Sequence, residues 1–147
     1  MKTDKQAVSC EIERRVAFYE LDPMQIVWHG NYFNYYEDAR SVLFARSGIN
    51  LNDYFKRTQL FFPIIRTSTK HIYPLRYGDE FICKATLVEA RIKIAVDFEI
   101  RLKDGGKLCT RGRTEQAAVK APEMKILYSI PEDIRNALIG HEGRTIA

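Results

Sequence analysis

From Ile92 to Lys103 every second residue is large and apolar: Ile92, Ile94, Val96, Phe98, Ile100 and Leu102 are separated by Lys93, Ala95, Asp97, Glu99, Arg101 and Lys103. A period of two puts the apolar set on one side of a strand, so this segment belongs in a sheet with one face buried. Asp104-Gly105-Gly106 follows, and its glycines accept the positive φ of a tight hairpin turn. The chain therefore returns antiparallel from Lys107 to about Lys120. Upstream, Phe81, Cys83, Ala85 and Leu87 share one strand face, with Ile82, Lys84, Thr86 and Val88 on the other. Tyr77-Gly78-Asp79 reads as the turn that enters that strand. Residues 61–73 read as a strand despite Pro63, and Tyr73-Pro74 closes it. A first strand is expected from Val8 to Glu20, broken at Leu21-Asp22-Pro23, since proline disfavours the helical region at Asp22 and cannot donate to a ladder.

Between the first strand and the others the period becomes helical. Tyr32, Tyr35, Tyr36, Ala39, Val42 and Leu43 form one face of a helix expected from Tyr32 to Ser47, with Asn31 as N-cap, Arg46 near the end and Gly48 as the C′ residue. The preceding stretch, Met24 to Gly30, is apolar for a connection and is expected to pack inward. A short helix follows over Asn52–Arg57, and another over Ile130–Leu138 with Pro131 in its first turn. The fold class is therefore α+β, one domain over residues 1–147, in which a five-stranded antiparallel sheet buries one face against a long aromatic helix. Such a sheet leaves edges, so self-association is expected.

The rest of the composition mainly excludes. In 147 residues, 23 Lys and Arg stand against 19 Asp and Glu, a net charge of +4 without a basic arm, so no nucleic-acid footprint is concentrated anywhere. Cys10, Cys83 and Cys109 are odd in number, widely spaced and without a Cys-x-x-Cys pair, which argues against a disulfide scaffold or thiolate zinc site. The start has no apolar signal core and no run of 18 apolar residues occurs, so no transmembrane segment and a cytoplasmic location are expected. Nucleotide-binding glycine fingerprints and the Gly-x-Ser-x-Gly elbow are absent. His29, His71 and His141 form no ligand spacing, so no metal is expected.

Chemistry is concentrated between Asp22 and Arg40. A carboxylate ends a strand seven residues before His29, at the start of the long helix. Helix starts present unpaired N–H groups and the positive end of the dipole. Amides of His29, Gly30 or Asn31 could polarise a carbonyl and stabilise the oxyanion that grows on it, with Gly30 permitting close approach. Asp22 could attack that carbonyl or deprotonate water, and a thioester, with its good leaving group, suits so modest an apparatus better than an amide. Glu37 could orient water. Each residue also has an ordinary role: Asp22 starting a turn, His29 and Asn31 closing the helix end, Glu37 complementing the dipole.

The run Asp22-Pro23-Met24-Gln25-Ile26-Val27-Trp28-His29-Gly30-Asn31-Tyr32, continuing through Tyr35-Tyr36-Glu37-Asp38-Ala39-Arg40, resembles the signature of the 4-hydroxybenzoyl-CoA thioesterase family of hotdog proteins, including its short bacterial Tol–Pal-associated members. The resemblance implies a hotdog fold, a sheet wrapped around a central helix, and hydrolysis of an acyl-CoA to free acid and CoA. Asp22 matches the catalytic aspartate, nucleophile or general base, and the backbone N–H of His29 falls where the thioester carbonyl is polarised. Histidine at 29, where the 4-hydroxybenzoyl type has tyrosine, disfavours that aryl substrate. Gln25 stands where the family commonly has glycine. The resemblance further implies a homodimer with interfacial active sites, joined into a homotetramer, and no cofactor beyond the CoA of the substrate.

Arg66, Lys70, Arg76 and Arg91 are candidates for the CoA phosphates, with Lys84 and Lys93 as further basic residues. Alternative readings are a non-catalytic acyl-thioester-binding or assembly protein, an enoyl-thioester hydratase or dehydratase, and a thioesterase acting on acyl carrier protein.

Overall fold

The computed structural model describes residues 8–140. The chain runs through β1 (Ser9–Arg15), a 3-10 turn (Phe18–Glu20), α1 (Asn31–Arg46), α2 (Leu51–Thr58), β2 (Leu60–Phe61), β3 (Ile64–His71), β4 (Glu80–Glu89), β5 (Ile94–Leu102), β6 (Leu108–Gln116), β7 (Val119–Lys120), β8 (Lys125–Ile126) and α3 (Glu132–Ile139). Five strands make one sheet in the order β1-β4-β5-β6-β3, antiparallel throughout. The α+β class and five-stranded sheet are those expected. A second sheet, β2-β7-β8, was not expected. Its strands are two residues each, too short to carry a period of their own.

The sheet buries the face its alternation prescribes. Phe81, Cys83, Ala85, Ile94, Val96, Phe98 and Ile100 are all inaccessible to solvent, and α1 covers them with Tyr32, Tyr35, Tyr36, Ala39 and Leu43. Tyr36 stacks on Phe98 at 4.5 Å between ring centroids and 15° between planes. Its hydroxyl lies 2.7 Å from Thr69 Oγ1 on β3 and donates to Thr110 Oγ1 on β6 at 3.3 Å, so one side chain joins the helix to three strands. The β5–β6 hairpin turns at Gly105 and Gly106, both with positive φ as expected.

Several boundaries differ from the sequence reading. The first strand stops at Arg15, because Glu20 Oε1 accepts the Ala17 N–H at 2.8 Å and closes the 3-10 turn that ends the extended run. Ile92 is 64% exposed and precedes β5, since the Ile92 and Lys93 amides turn onto Glu89 Oε2 instead of the ladder. The expected strand over 61–73 is split at Phe62-Pro63 into β2 and β3, which lie in different sheets. The return strand over 107–120 is divided between the same two sheets. Gly30, not Asn31, is the N-cap of α1, and Pro131 precedes α3 as its cap instead of lying in its first turn. Gly48, at φ +79°, is the C′ residue expected after α1.

Candidate active site

Asp22 sits at the tip of a small hairpin inserted between the 3-10 turn and α1. The Asp22 N–H donates to Ile26 O at 2.9 Å, the Gln25 N–H to Asp22 O at 2.9 Å, and Leu21 bridges Val27. Asp22 Oδ1 accepts the Met24 N–H at 2.8 Å, so the carboxylate shapes its own turn. Among the described residues no hydrogen bond engages Oδ2. The stretch 24–30 does not pack inward as a whole: Val27 is 2% exposed, but Met24 is 73% and Trp28 49% exposed. Hairpin geometry explains the split, because successive residues point to opposite sides.

Gln25 takes φ +64°, the left-handed conformation that glycine adopts without strain. This gives a physical reason for glycine at the corresponding place in chains with this signature. Gln25→Gly is expected to raise stability by about 0.5 kcal/mol, the relief of strain outweighing the added freedom of the unfolded chain. A lowered melting temperature would show that the Gln25 side chain contributes more than its backbone costs.

The hairpin is clamped from below by the segment after β3. The Val27 N–H donates to Leu75 O at 2.9 Å, Ile26 bridges Arg76, and the Leu75 N–H donates to the hydroxyl of Tyr32 at 3.2 Å. The same packing opens a cleft of ≈ 820 Å³, walled by half-buried Asp22 with Phe18, Leu21, Gln25, Arg76 and Tyr77. Phe18 meets Tyr77 edge to face at 5.9 Å, and both are mostly exposed, at 76% and 64%. The sequence reading put Phe18 in the first strand and Tyr77 in a turn, and missed both as walls of a cleft. Fifty-nine positions apart, they meet only once the fold brings the 3-10 turn to the β3–β4 connection.

At the start of α1 the Asn31 N–H donates to Trp28 O at 2.9 Å and the Tyr32 N–H to His29 O at 3.3 Å. Among the described residues no acceptor takes the N–H of His29 or of Gly30, which leaves these two amides at the positive end of the helix. A β-carbon on Gly30 would fall inside the Trp28 indole, so glycine there makes room for that ring. The His29 imidazole lies 5.3 Å from the Trp28 ring and is exposed, as is Glu37 one and a half turns along the helix. Tyr35 is 4% exposed, and among the described residues no group meets its hydroxyl within hydrogen-bonding geometry. Burial, and next the Glu20 carboxylate beside it, push the Tyr35 phenol well above its ordinary range.

The basic candidates separate. Arg76 stands in the wall of the cleft with Asp22, its backbone N–H held by Asp79 Oδ2 at 2.8 Å. Arg66 and Lys70 are paired in register with Glu115 and Arg111 on the sheet face turned away from α1, and Arg91 lies in the turn between β4 and β5. None of these three lines the cleft. Among the described residues, which exclude His141, no three His, Cys, Asp or Glu side chains gather as a metal site would require, and no helix is long and apolar enough to cross a membrane.

A sequence model described as the thioesterase superfamily matches residues 24–109. The chain is 25% identical over 100 residues to a 1,4-dihydroxy-2-naphthoyl-CoA hydrolase of Nostoc punctiforme, covering 66% of each chain. It is 35% identical over 77 residues to a chloroplastic acyl-acyl carrier protein thioesterase of Arabidopsis thaliana, covering 52% of this chain and 40% of that one. Its backbone superposes on a 1,4-dihydroxy-2-naphthoyl-CoA thioesterase from Synechocystis with a TM-score of 0.83 at 19% identity, over 90% of this chain and 97% of the other.

Proposed function

This chain belongs to the thioesterase superfamily and has the hotdog fold, and from that premise we propose that it hydrolyses acyl-CoA thioesters with Asp22 as its reactive carboxylate. The observation that carries the reading is the shared hairpin. It holds Asp22, with Oδ2 unengaged, in the wall of an ≈ 820 Å³ cleft and leads, seven and eight residues on, to the amides of His29 and Gly30, which no acceptor among the described residues takes. In the reaction the thioester oxygen accepts from these amides, His29 first, and the negative charge of the tetrahedral state develops against the helix dipole. Asp22 Oδ2 either takes a proton from water, whose oxygen adds to the carbonyl carbon, or adds itself, giving an anhydride that water then opens. In both routes the C–S bond breaks, CoA leaves as the thiolate, and the acid is released. Single turnover in ¹⁸O-water separates them, since only the anhydride route can leave label in the Asp22 carboxylate.

Arg76 is the basic side chain best placed to meet a CoA phosphate in the same protomer, with Phe18 and Tyr77 offering flat apolar surface to the pantetheine arm. Arg66, Lys70 and Arg91 reach a CoA only if it extends across a neighbouring subunit. Strand β3 supports assembly as a homodimer, then a homotetramer: its eight residues bond to β6 on one side only and nearly all of them are exposed. The reaction requires nothing beyond water, and a cytoplasmic setting supplies acyl-CoA.

The function is tested with a panel of aromatic, short, medium and long acyl-CoAs, following thiol release with a thiol-reactive dye. Release of CoA from at least one member is the expected result, and no release from any of them overturns the reading. The likeness to the Arabidopsis enzyme favours including acyl carrier protein thioesters, and faster release from these moves the carrier assignment without moving the chemistry.

A further inference from the structure

Two parts of the site must keep a fixed separation: the carboxylate of Asp22 and the free amides of His29 and Gly30. Both are tethered to one backbone atom. Glu20 O accepts the Trp28 N–H at 2.9 Å and the side-chain Nδ2–H of Asn31, also at 2.9 Å. Asp22 lies two residues after that carbonyl, and His29 and Gly30 lie between its two donors. The other end of the Asn31 side chain is also engaged, Oδ1 accepting from Asn34 Nδ2 at 3.1 Å, which turns the amide nitrogen toward Glu20. Glu20 is fixed in turn by its own carboxylate, which closes the 3-10 turn on the Ala17 N–H.

We infer that Asn31 is a positioning residue for the proposed hydrolysis, its side-chain amide clasping the Glu20 carbonyl so that Asp22 and the His29–Gly30 amides hold the spacing the transition state needs. The inference rests on the functional reading above. An ordinary helix N-cap bonds its own helix, so a side chain at the first helical position that reaches back eleven residues is a device for holding the loop. Asparagine suits the place because it donates to a carbonyl from one end and accepts from the helix surface at the other. Aspartate has the same shape but would turn a carboxylate oxygen on Glu20 O.

The test compares Asn31→Ala and Asn31→Asp with the wild-type protein on one acyl-CoA that it hydrolyses. Asn31→Ala is expected to lower kcat by about 10- to 100-fold with KM unchanged within about twofold, since misplacement of about an ångström in reacting groups costs this much. Asn31→Asp is expected to lose more. Because Asn31 acts through the spacing to Asp22, adding Asn31→Ala to Asp22→Asn should cost little further turnover, and deuterium exchange at the Trp28 amide should quicken at least about tenfold as the clasp opens. Wild-type kcat in Asn31→Ala overturns the inference, as does an equal fold-loss in both backgrounds. If Asn31→Ala does not fold, Asn34→Ala frees only the orienting bond and should lower kcat about two- to fivefold, with no loss again overturning it. Full turnover in Asp22→Asn would instead remove the functional reading, leaving the clasp to be judged on exchange at Trp28.

Discussion

Asp22→Asn is expected to fold with unchanged stability and to hydrolyse acyl-CoA at least about a hundredfold more slowly than the wild-type protein. The two halves of this expectation come from different atoms of one side chain. Oδ1 accepts the Met24 N–H and shapes the turn, and an asparagine carbonyl oxygen can do the same, since both residues form this turn readily. Stability should therefore stay within about 0.5 kcal/mol, the range of substitutions that break no packing and orphan no buried group. Oδ2 carries the reactive lone pairs, and the amide nitrogen that replaces it can neither take a proton from water nor attack a carbonyl. General-base assistance is worth about 10²–10⁴ in rate, so the loss should fall in that range with KM little changed. Melting temperature and steady-state kinetics on the same preparation separate the halves. A variant that melts normally and turns over normally would remove Asp22 from the chemistry, whereas one that melts early would show that the turn needs a full charge on Oδ1.

The sequence made some parts of this molecule readable and hid others for identifiable reasons. Ile94, Val96, Phe98 and Ile100 could be assigned to a buried face because a period of two survives whatever the strand pairs with. Tyr32, Tyr35 and Tyr36 could be assigned to the covered face of α1 by the same kind of argument. The division of the residues after α2 between two sheets could not be seen, since the paired residues of β2 and β7 are 60 and 58 positions apart and each strand is two residues long. Within the site, Asp22 and the helix start stood out because the residue types themselves suggest chemistry. The Glu20 carbonyl did not, because a main-chain oxygen is present whatever residue occupies position 20. Arg76 could not be told from Arg66, Lys70 and Arg91 by charge alone; the register of β3 on β6 turns Arg66 and Lys70 to the outer face, Arg91 falls in the turn between β4 and β5, and the bridge to Ile26 brings Arg76 into the cleft wall.

The largest loss of stability from a single small change is expected at Gly112, in the middle of β6. Its φ is not positive, so conformational freedom is not what requires glycine there. What requires it is Tyr36: a β-carbon on residue 112 would lie 2.5 Å from Tyr36 Cε2, 2.6 Å from its Oη and 2.7 Å from its Cζ, closer than such atoms can approach. Tyr36 cannot yield. Its ring is inaccessible to solvent and stacked on Phe98, and its hydroxyl is fixed by Thr69 on the neighbouring strand β3 and by Thr110, two residues before position 112 on β6 itself. Gly112→Ala must therefore lift α1 from the sheet or turn Tyr36 out of its stack. Overpacking a close-packed core costs about 1–3 kcal/mol, and loss of the aromatic stack adds about 1 kcal/mol, so about 3 kcal/mol is expected. For a chain of this size that lowers the melting temperature by about 10 °C. The cause is checked by a cycle with Tyr36→Ala, which removes the ring and leaves space where the new methyl points. In that background Gly112→Ala should cost less than about 1 kcal/mol, because the atoms it would strike are gone. An equal cost with and without the ring would place the requirement for glycine in the β6 backbone itself and not in the contact between strand and helix.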